Sequence, residues 1–526
     1  MENSGRFAAN GRRFAVATPH SLATDAAVAA FEAGGNAVDA AIAANAVLAV
    51  AYPHMCGVGG DLFAVVADSR TSVVVNGSGA AAFELDAATV RATCGSMPVR
   101  GPLTVSVPGA VAAWAELSAR FGRFPLANAL DRAAGCAEEG IPVASSVARA
   151  IATYGELLRA DPGLGSLLQP GGRPLASGER LAQPALARTL RDIARHGPEA
   201  FYGGDVGARL VAGLRHAGSP LTLDDLRRHT TEVVPPLSRR YRGLEVLVPP
   251  PNSQGLVLLE ILGCLERGGL GPDHLGLEAG VLAHVFLLAS GDRDRFLADP
   301  RRVDVPVDRL LSKEHVEELL VRARASAGRV VDGRRATGDT VGVVAAEEGG
   351  LWVSMNQSLY GTLGSGILEP ETGILCHNRG SYFSLDAEAR NRLVGGARPA
   401  HTLMPVMLLD GGSPVVASAT MGGSAHAQIH AEVLTALVDG GRDAWKSISN
   451  PRWLVGGIQR DGGAVVFAEG RVPEETVGRL RSTGLHVQRL APLDEAVGHA
   501  QLIARGEDGE LAAASDPRAD GAARAF

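Results

Sequence analysis

Apolar and polar positions follow one period before residue 340 and another after it. From 23 to 51, Ala, Val and Leu alternate with small polar residues at helical spacing, and Gly34-Gly35-Asn36 divides the stretch into two predicted helices. The glycine loop Cys56-Gly57-Val58-Gly59-Gly60-Asp61 feeds an apolar strand at 62–66. A second strand at 71–75 makes this a hairpin expected at a sheet edge. From about 110 to 230 the pattern is helical, broken at Pro125, Pro142, Pro162, Gly171-Gly172 and Gly197-Pro198, with amphipathic stretches at 185–195 and 205–216. The proline joint 248–253 precedes an apolar helix at 255–266. An arginine-rich stretch, 321–335, reads as exposed and flexible up to Gly338-Asp339-Thr340.

After 340 the texture is that of strands. Residues 341–346 and 351–358 flank Glu347-Glu348-Gly349-Gly350, which predicts an antiparallel hairpin. A two-residue turn puts Thr340 opposite Gln357, and a three-residue loop puts it opposite Ser358. A one-residue slip exchanges the faces of the strand, so the two registers are different sites, and both stay open.

Composition narrows the picture. The chain has 526 residues, 46% hydrophobic and 20% charged, enough for a large core. At about 150 residues per domain, length alone would nominally suggest three or four domains. Net charge is −7, Lys occurs only at 313 and 446, and the arginines are scattered, so no nucleic-acid partner is expected. Cys56, Cys94, Cys136, Cys264 and Cys376 are odd in number and form no CxxC, which points away from a disulfide framework or a zinc knuckle. The N-terminus carries Arg where a secretory signal needs an apolar run. The alanine-rich segment 37–50 falls short of the roughly 20 residues of a membrane span and is expected to be a buried helix. A cytoplasmic protein with no membrane partner is the resulting expectation.

Threonine is a weak nucleophile unless a base removes its proton, and an N-terminal threonine carries that base as its own α-amine. Asp339-Thr340, at a strand start after a cuttable stretch, could supply one, although Asp-Thr there is ordinarily only a turn. Gly364-Ser365-Gly366-Ile367 and Met421-Gly422-Gly423-Ser424 follow strand-like segments, where backbone amides can converge on an oxyanion. Ordinary turns are the alternative.

Taken in order, these segments resemble the gamma-glutamyltransferase family across nearly the whole chain. The resemblance rests on Gly34 to Ala41, Gly57-Val58-Gly59-Gly60-Asp61, Val107-Pro108-Gly109, Glu199 to Gly204, Tyr241-Arg242-Gly243, Pro250 to Gly255 and Leu297-Ala298-Asp299-Pro300. It implies an α+β, four-layer αββα sandwich of the N-terminal-nucleophile type. It implies cleavage between Asp339 and Thr340 into pieces 1–339 and 340–526 that stay associated, acting on a small acyl substrate without cofactor or metal. Thr340 falls on the family's nucleophile, Ser358 on its second hydroxyl, and Gly422 and Gly423 on its oxyanion glycines.

The departures cluster where the family grips a glutamyl group. Its arginine is replaced by Asn76-Gly77-Ser78-Gly79-Ala80-Ala81, its carboxylate-binding Asn by Tyr360, and its ammonium-binding segment by Asn378-Arg379-Gly380-Ser381-Tyr382-Phe383. The paired serines become His401-Thr402. These features are similar to the oxamate amidohydrolase-like branch and related acylases. They make Arg379, Tyr360, Tyr382, His401 and Thr402 candidate substrate contacts, with the guanidinium suited to a planar carboxylate unless it forms an internal salt bridge.

Four alternatives accompany this reading: a glutathione hydrolase, an oxalyl carbon–carbon hydrolase of a biosynthetic pathway, an unprocessed binding protein, and a dinucleotide binder. The last rests on G-x-G-x-x-A after the 73–75 strand, a weak fingerprint without its helix or acidic ligand. His426 and His430 stand one helical turn apart, as in a zinc helix, but lack the Glu of H-E-x-x-H, and a core pair is the simpler expectation.

Overall fold

The computed structural model describes residues 4–270, 273–325, 338–458 and 463–526. Two seven-stranded antiparallel sheets stack face to face. One runs Ala8–Gly11, Leu511–Ser515, His499–Arg505, Ser413–Met421, Val406–Asp410, Leu244–Val248, Leu237–Tyr241. The other runs Ala522–Ala525, Phe14–Thr18, Asp339–Glu347, Trp352–Tyr360, Asp61–Ala67, Ser72–Gly77, Glu232–Val234.

Strand alternation sorts the core into three layers. Phe63, Val65, Val344, Ala346 and Trp352 from one sheet meet Leu247, Met407, Ala417, Ala419 and Ile503 from the other. On the outer face of the second sheet, Val341, Val343, Ala345, Leu62 and Ala64 pack against helices Ser21–Glu32, Ala37–Ala51 and Ala110–Phe121. On the outer face of the first, Val406, Leu408 and Leu502 pack against Gly255–Gly268, Ala279–Phe296, Lys313–Ala325 and His426–Leu434. The result is the αββα sandwich, and it forms one unit rather than the three or four domains that length suggests. Both sheets draw strands from either side of residue 339, so a cut there would leave two interleaved pieces.

Ala37–Ala51 is buried along its whole length because it has helices on one side and the sheet on the other. Its start is fixed by a capping box between Asn36 and Asp39. The 61–67 and 72–77 strands do form a hairpin, but not at the edge: Glu232–Val234 adds outside it, because a segment distant in sequence completes the sheet. Residues 321–325 of the arginine-rich stretch belong to the helix Lys313–Ala325, whose Ala323 side is buried; 326–337 lie outside the described residues. All five cysteines are free.

Candidate active site

The hairpin after 338 adopts the three-residue register. Glu347 pairs with Leu351, Gly349 takes the left-handed conformation the loop needs, and Val341 pairs with Gln357. At the strand head the register slips: Asp339 pairs with Tyr360, so Ser358 and Leu359 together oppose Thr340. That two-against-one arrangement is a β-bulge, a device that re-aims side chains.

Thr340 is 1% exposed and its Oγ1 has no hydrogen-bond partner among the described residues. The Ser358 hydroxyl donates to the carbonyl oxygen of Asp339, the residue before Thr340, and accepts from the Tyr360 amide at 2.7 Å. The Thr362 hydroxyl donates to Asp339 Oδ2, and Arg100 holds the Thr362 and Gly364 carbonyls at 2.6 and 2.7 Å. Burial pushes the Asp339 carboxyl up to about 6. The Thr362 hydrogen bond and the Arg100 charge oppose the rise, while Glu495 adds to it.

The Gly422-Gly423 loop lies against the same segment. A Cβ on Gly338 would fall 2.9 Å from the Gly423 Cα and 3.3 Å from the Tyr360 ring. Gly422 (φ 150°) and Gly423 (φ 55°) both take backbone conformations that favour glycine. The carbonyls of this loop are tied down from below: Gln254 Nε2 donates to Gly423 O at 2.9 Å and Arg293 Nη1 to Ser424 O at 2.8 Å. The other glycine loop is different. The amides of Gly364, Ser365 and Gly366 donate to the carbonyls of Gly361, Cys376 and Leu363, which leaves an ordinary turn with no free oxyanion donors.

Arg379 heads a short turn to Tyr382 and is buried, yet it forms no ion pair among the described residues. Nη1 donates to Thr402 Oγ1 at 2.9 Å, while Nε and Nη2 have no hydrogen-bond partner among the described residues. Tyr360 lies under the guanidinium with its ring centre 3.5 Å from Cζ, and Tyr382 flanks it at 4.7 Å. The rings form a T-shaped pair 5.9 Å apart. Burial lowers the Arg379 pKa, but a guanidinium stays charged across the physiological range. Because Tyr360 pairs with Asp339, Arg379 stands one side chain away from the Asp339–Thr340 bond.

His401 is used inside the fold. Its Nε2 donates to Asp61 Oδ2 at 3.1 Å, and its Nδ1 accepts from the Leu403 amide at 3.2 Å, which leaves neither nitrogen for a ligand. Burial holds its pKa down to about 4. Asp61 also takes amides of Gly79 and Gly109 and faces His377 Nδ1 at 3.6 Å. Where the resemblance lacks its arginine, neutral amides interlock: Asn252 Nδ2 donates to Ser78 Oγ at 3.1 Å and to Pro399 O at 2.8 Å, and Asn76 Nδ2 donates to Asn252 Oδ1 at 3.1 Å. The dinucleotide reading fails at this point, since a Cβ on Gly79 would lie 1.6 Å from the Val107 carbonyl oxygen, so that glycine serves backbone packing. His430 bonds Ser418 and Met404 in the core, as expected of a structural pair.

Sequence reasoning missed Thr362, Gln254, Arg293 and the Asp61–His377 contact. Asp61 and Gln254 sat within segments already noted, but their contacts with His401 and Thr402 span more than 140 residues.

Two antiparallel sheets between helical layers, with a buried threonine heading a central strand, define the N-terminal-nucleophile hydrolase class. The gamma-glutamyltranspeptidase family model matches residues 23–526, and the chain belongs to that family of hydrolases and acyltransferases. It is 37% identical to the oxamate amidohydrolase proenzyme of Klebsiella pneumoniae, covering 97% of each chain. It is 36% identical to the glutathione hydrolase-like YwrD proenzyme of Bacillus subtilis, covering 98% of each. The crystal structure of cephalosporin acylase from Bacillus halodurans superposes with a TM-score of 0.90 at 33% identity, covering 99% of this chain and 97% of that one. Among the described residues, no helix is long and apolar enough to cross a membrane.

Proposed function

We propose that the chain cuts itself between Asp339 and Thr340 and then hydrolyses the amide of a small carboxylate-bearing acid, with oxamate as the substrate to test first. In processing, Thr340 Oγ1 attacks the Asp339 carbonyl carbon, the peptide C–N bond breaks, and water hydrolyses the resulting ester. This frees the Thr340 amine. Ser358, already on the carbonyl oxygen, stabilises the charge that develops there.

In turnover the amine accepts the Thr340 hydroxyl proton as Oγ1 attacks the substrate carbonyl, and the Gly422 and Gly423 amides receive the oxyanion. The amine then returns the proton to the leaving nitrogen, and water releases the acid.

The observation that carries the substrate class is the unpartnered edge of Arg379. A buried guanidinium with Nε and Nη2 both free offers the parallel donor pair that a carboxylate accepts. The names of the relatives, an oxamate amidohydrolase and a glutathione hydrolase-like protein, set the competing assay.

The test is a denaturing gel with intact mass on fresh protein and on Thr340→Ala, followed by ammonia release from oxamate and glutamate release from glutathione. Two fragments with the smaller beginning at Thr340, an uncut variant, and activity on oxamate are expected. An uncut parent overturns the processing step, and a preference for glutathione overturns the substrate class.

A further inference from the structure

Away from this site, three helices of the outer layer bring together Glu260 of Gly255–Gly268, Asp292 of Ala279–Phe296 and His315 of Lys313–Ala325, with one ligand atom from each lying within 4.8 Å of the others. His315 Nε2 is 2.9 Å from Asp292 Oδ2 and 3.7 Å from Glu260 Oε1. Glu260 is fully buried, and both of its carboxylate oxygens lack a hydrogen-bond partner. Arg239, whose charge acts on Glu260, donates to the Leu311 carbonyl and makes no ion pair with Glu260 among the described residues. A buried carboxylate with nothing bound to it is strongly disfavoured, and so requires a proton or a cation.

We propose that Glu260, Asp292 and His315 bind one first-row divalent cation of the Zn²⁺ or Mn²⁺ type. Two carboxylates and a neutral imidazole balance a 2+ charge, which matters in a low-dielectric interior. One nitrogen and two oxygens suit borderline ions better than Mg²⁺ or Ca²⁺, which prefer all-oxygen shells. The side chains of His315 and Asp292 are 13% and 12% exposed, giving the ion an entry path and a position for water.

The site would brace the catalytic loop from behind. Gln254, less than two helical turns before Glu260, and Arg293, next to Asp292, hold the Gly423 and Ser424 carbonyls.

The experiment uses full-length protein stripped with a chelator and titrated with ZnCl₂, MnCl₂ and MgCl₂ by calorimetry and thermal melting, with CoCl₂ added for its visible absorption. One equivalent of Zn²⁺ or Mn²⁺ per chain, a rise in Tm, a Co²⁺ spectrum of mixed nitrogen and oxygen ligation, and at least about 10-fold weaker binding in Glu260→Gln and His315→Ala are expected. His315 is near the surface, so its variant tests the site even where Glu260→Gln folds poorly. Absence of stoichiometric binding, equal binding in His315→Ala, or equal binding of Mg²⁺ overturns the proposal. The first two outcomes would leave no cation on Glu260, beside an Asp292–His315 hydrogen bond.

Discussion

The Ser358 hydroxyl donates to the carbonyl oxygen of Asp339, the carbonyl of the peptide bond that Thr340 would have to break. The β-bulge makes this contact possible, because regular pairing would not set Ser358 and Leu359 together against one residue. Ser358 is therefore placed to act on the precursor before any substrate exists. Losing one such donor typically slows a reaction about 10²- to 10³-fold. Ser358→Ala should process at least about 10²-fold more slowly than the parent while keeping its fold, as followed by gel densitometry over hours to days. Cleavage at the parental rate would remove Ser358 from the processing machinery.

Arg379 separates binding from processing. Its Nε and Nη2 have no hydrogen-bond partner among the described residues, so Arg379→Met should leave self-cleavage intact. Charge-assisted hydrogen bonds contribute about 1.5–3 kcal/mol, so kcat/KM on a carboxylate-bearing amide should fall roughly 10- to 150-fold. Replacing a buried, unpaired cation with an apolar side chain should leave Tm unchanged or raised. A large Tm loss with unchanged kcat/KM would make Arg379 a structural residue.

The layers were legible in the sequence because burial on two faces writes itself as unbroken apolar runs, as at 341–346 and 37–50. The hairpin register was not. Glu347 to Gly350 admits two loop lengths, and the choice depends on pairing with the 61–67 and 14–18 strands, which the hairpin alone does not contain. Thr340, Ser358 and Gly422-Gly423 were singled out by the family resemblance. That His401 is occupied by Asp61, from a strand 340 residues away, has no local sign. Nor does the neutral Asn76–Ser78–Asn252 cluster, which shows only that an arginine is missing.

Buried histidines should make the fold sensitive to acid. Burial, the largest effect in each case, holds His20, His229, His401 and His499 down to about 4, and His54 and His430 to about 3. A histidine whose folded pKa lies below its unfolded value of about 6.5 adds stability above 6.5 and loses it as pH falls through the folded value. Tm should therefore drop steeply between pH 6.5 and 4. A melting temperature flat across that window would show that these rings take up protons without unfolding.

Asp339 should act in the opposite sense, and only in the uncut chain. Its folded pKa of about 6 exceeds the unfolded value of about 3.9, so the folded state holds the proton more tightly. The sign follows directly: its contribution is fully present below pH 3.9, declines as pH rises through 6, and is absent above that, where the buried charge must be tolerated. Water at the partly exposed edge of Asp339 screens the effect, leaving on the order of 1–2 kcal/mol between pH 4 and 7.5. The comparison is made in the Thr340→Ala background, which keeps the bond intact and cancels the histidine contribution. Denaturant unfolding of Thr340→Ala and Asp339→Asn/Thr340→Ala at both pH values should give a double variant that is relatively more stable at pH 7.5 than at pH 4. An equal stability difference at the two pH values would mean that Asp339 titrates alike in the folded and unfolded chain, the cost of its burial offset by Thr362 and Arg100.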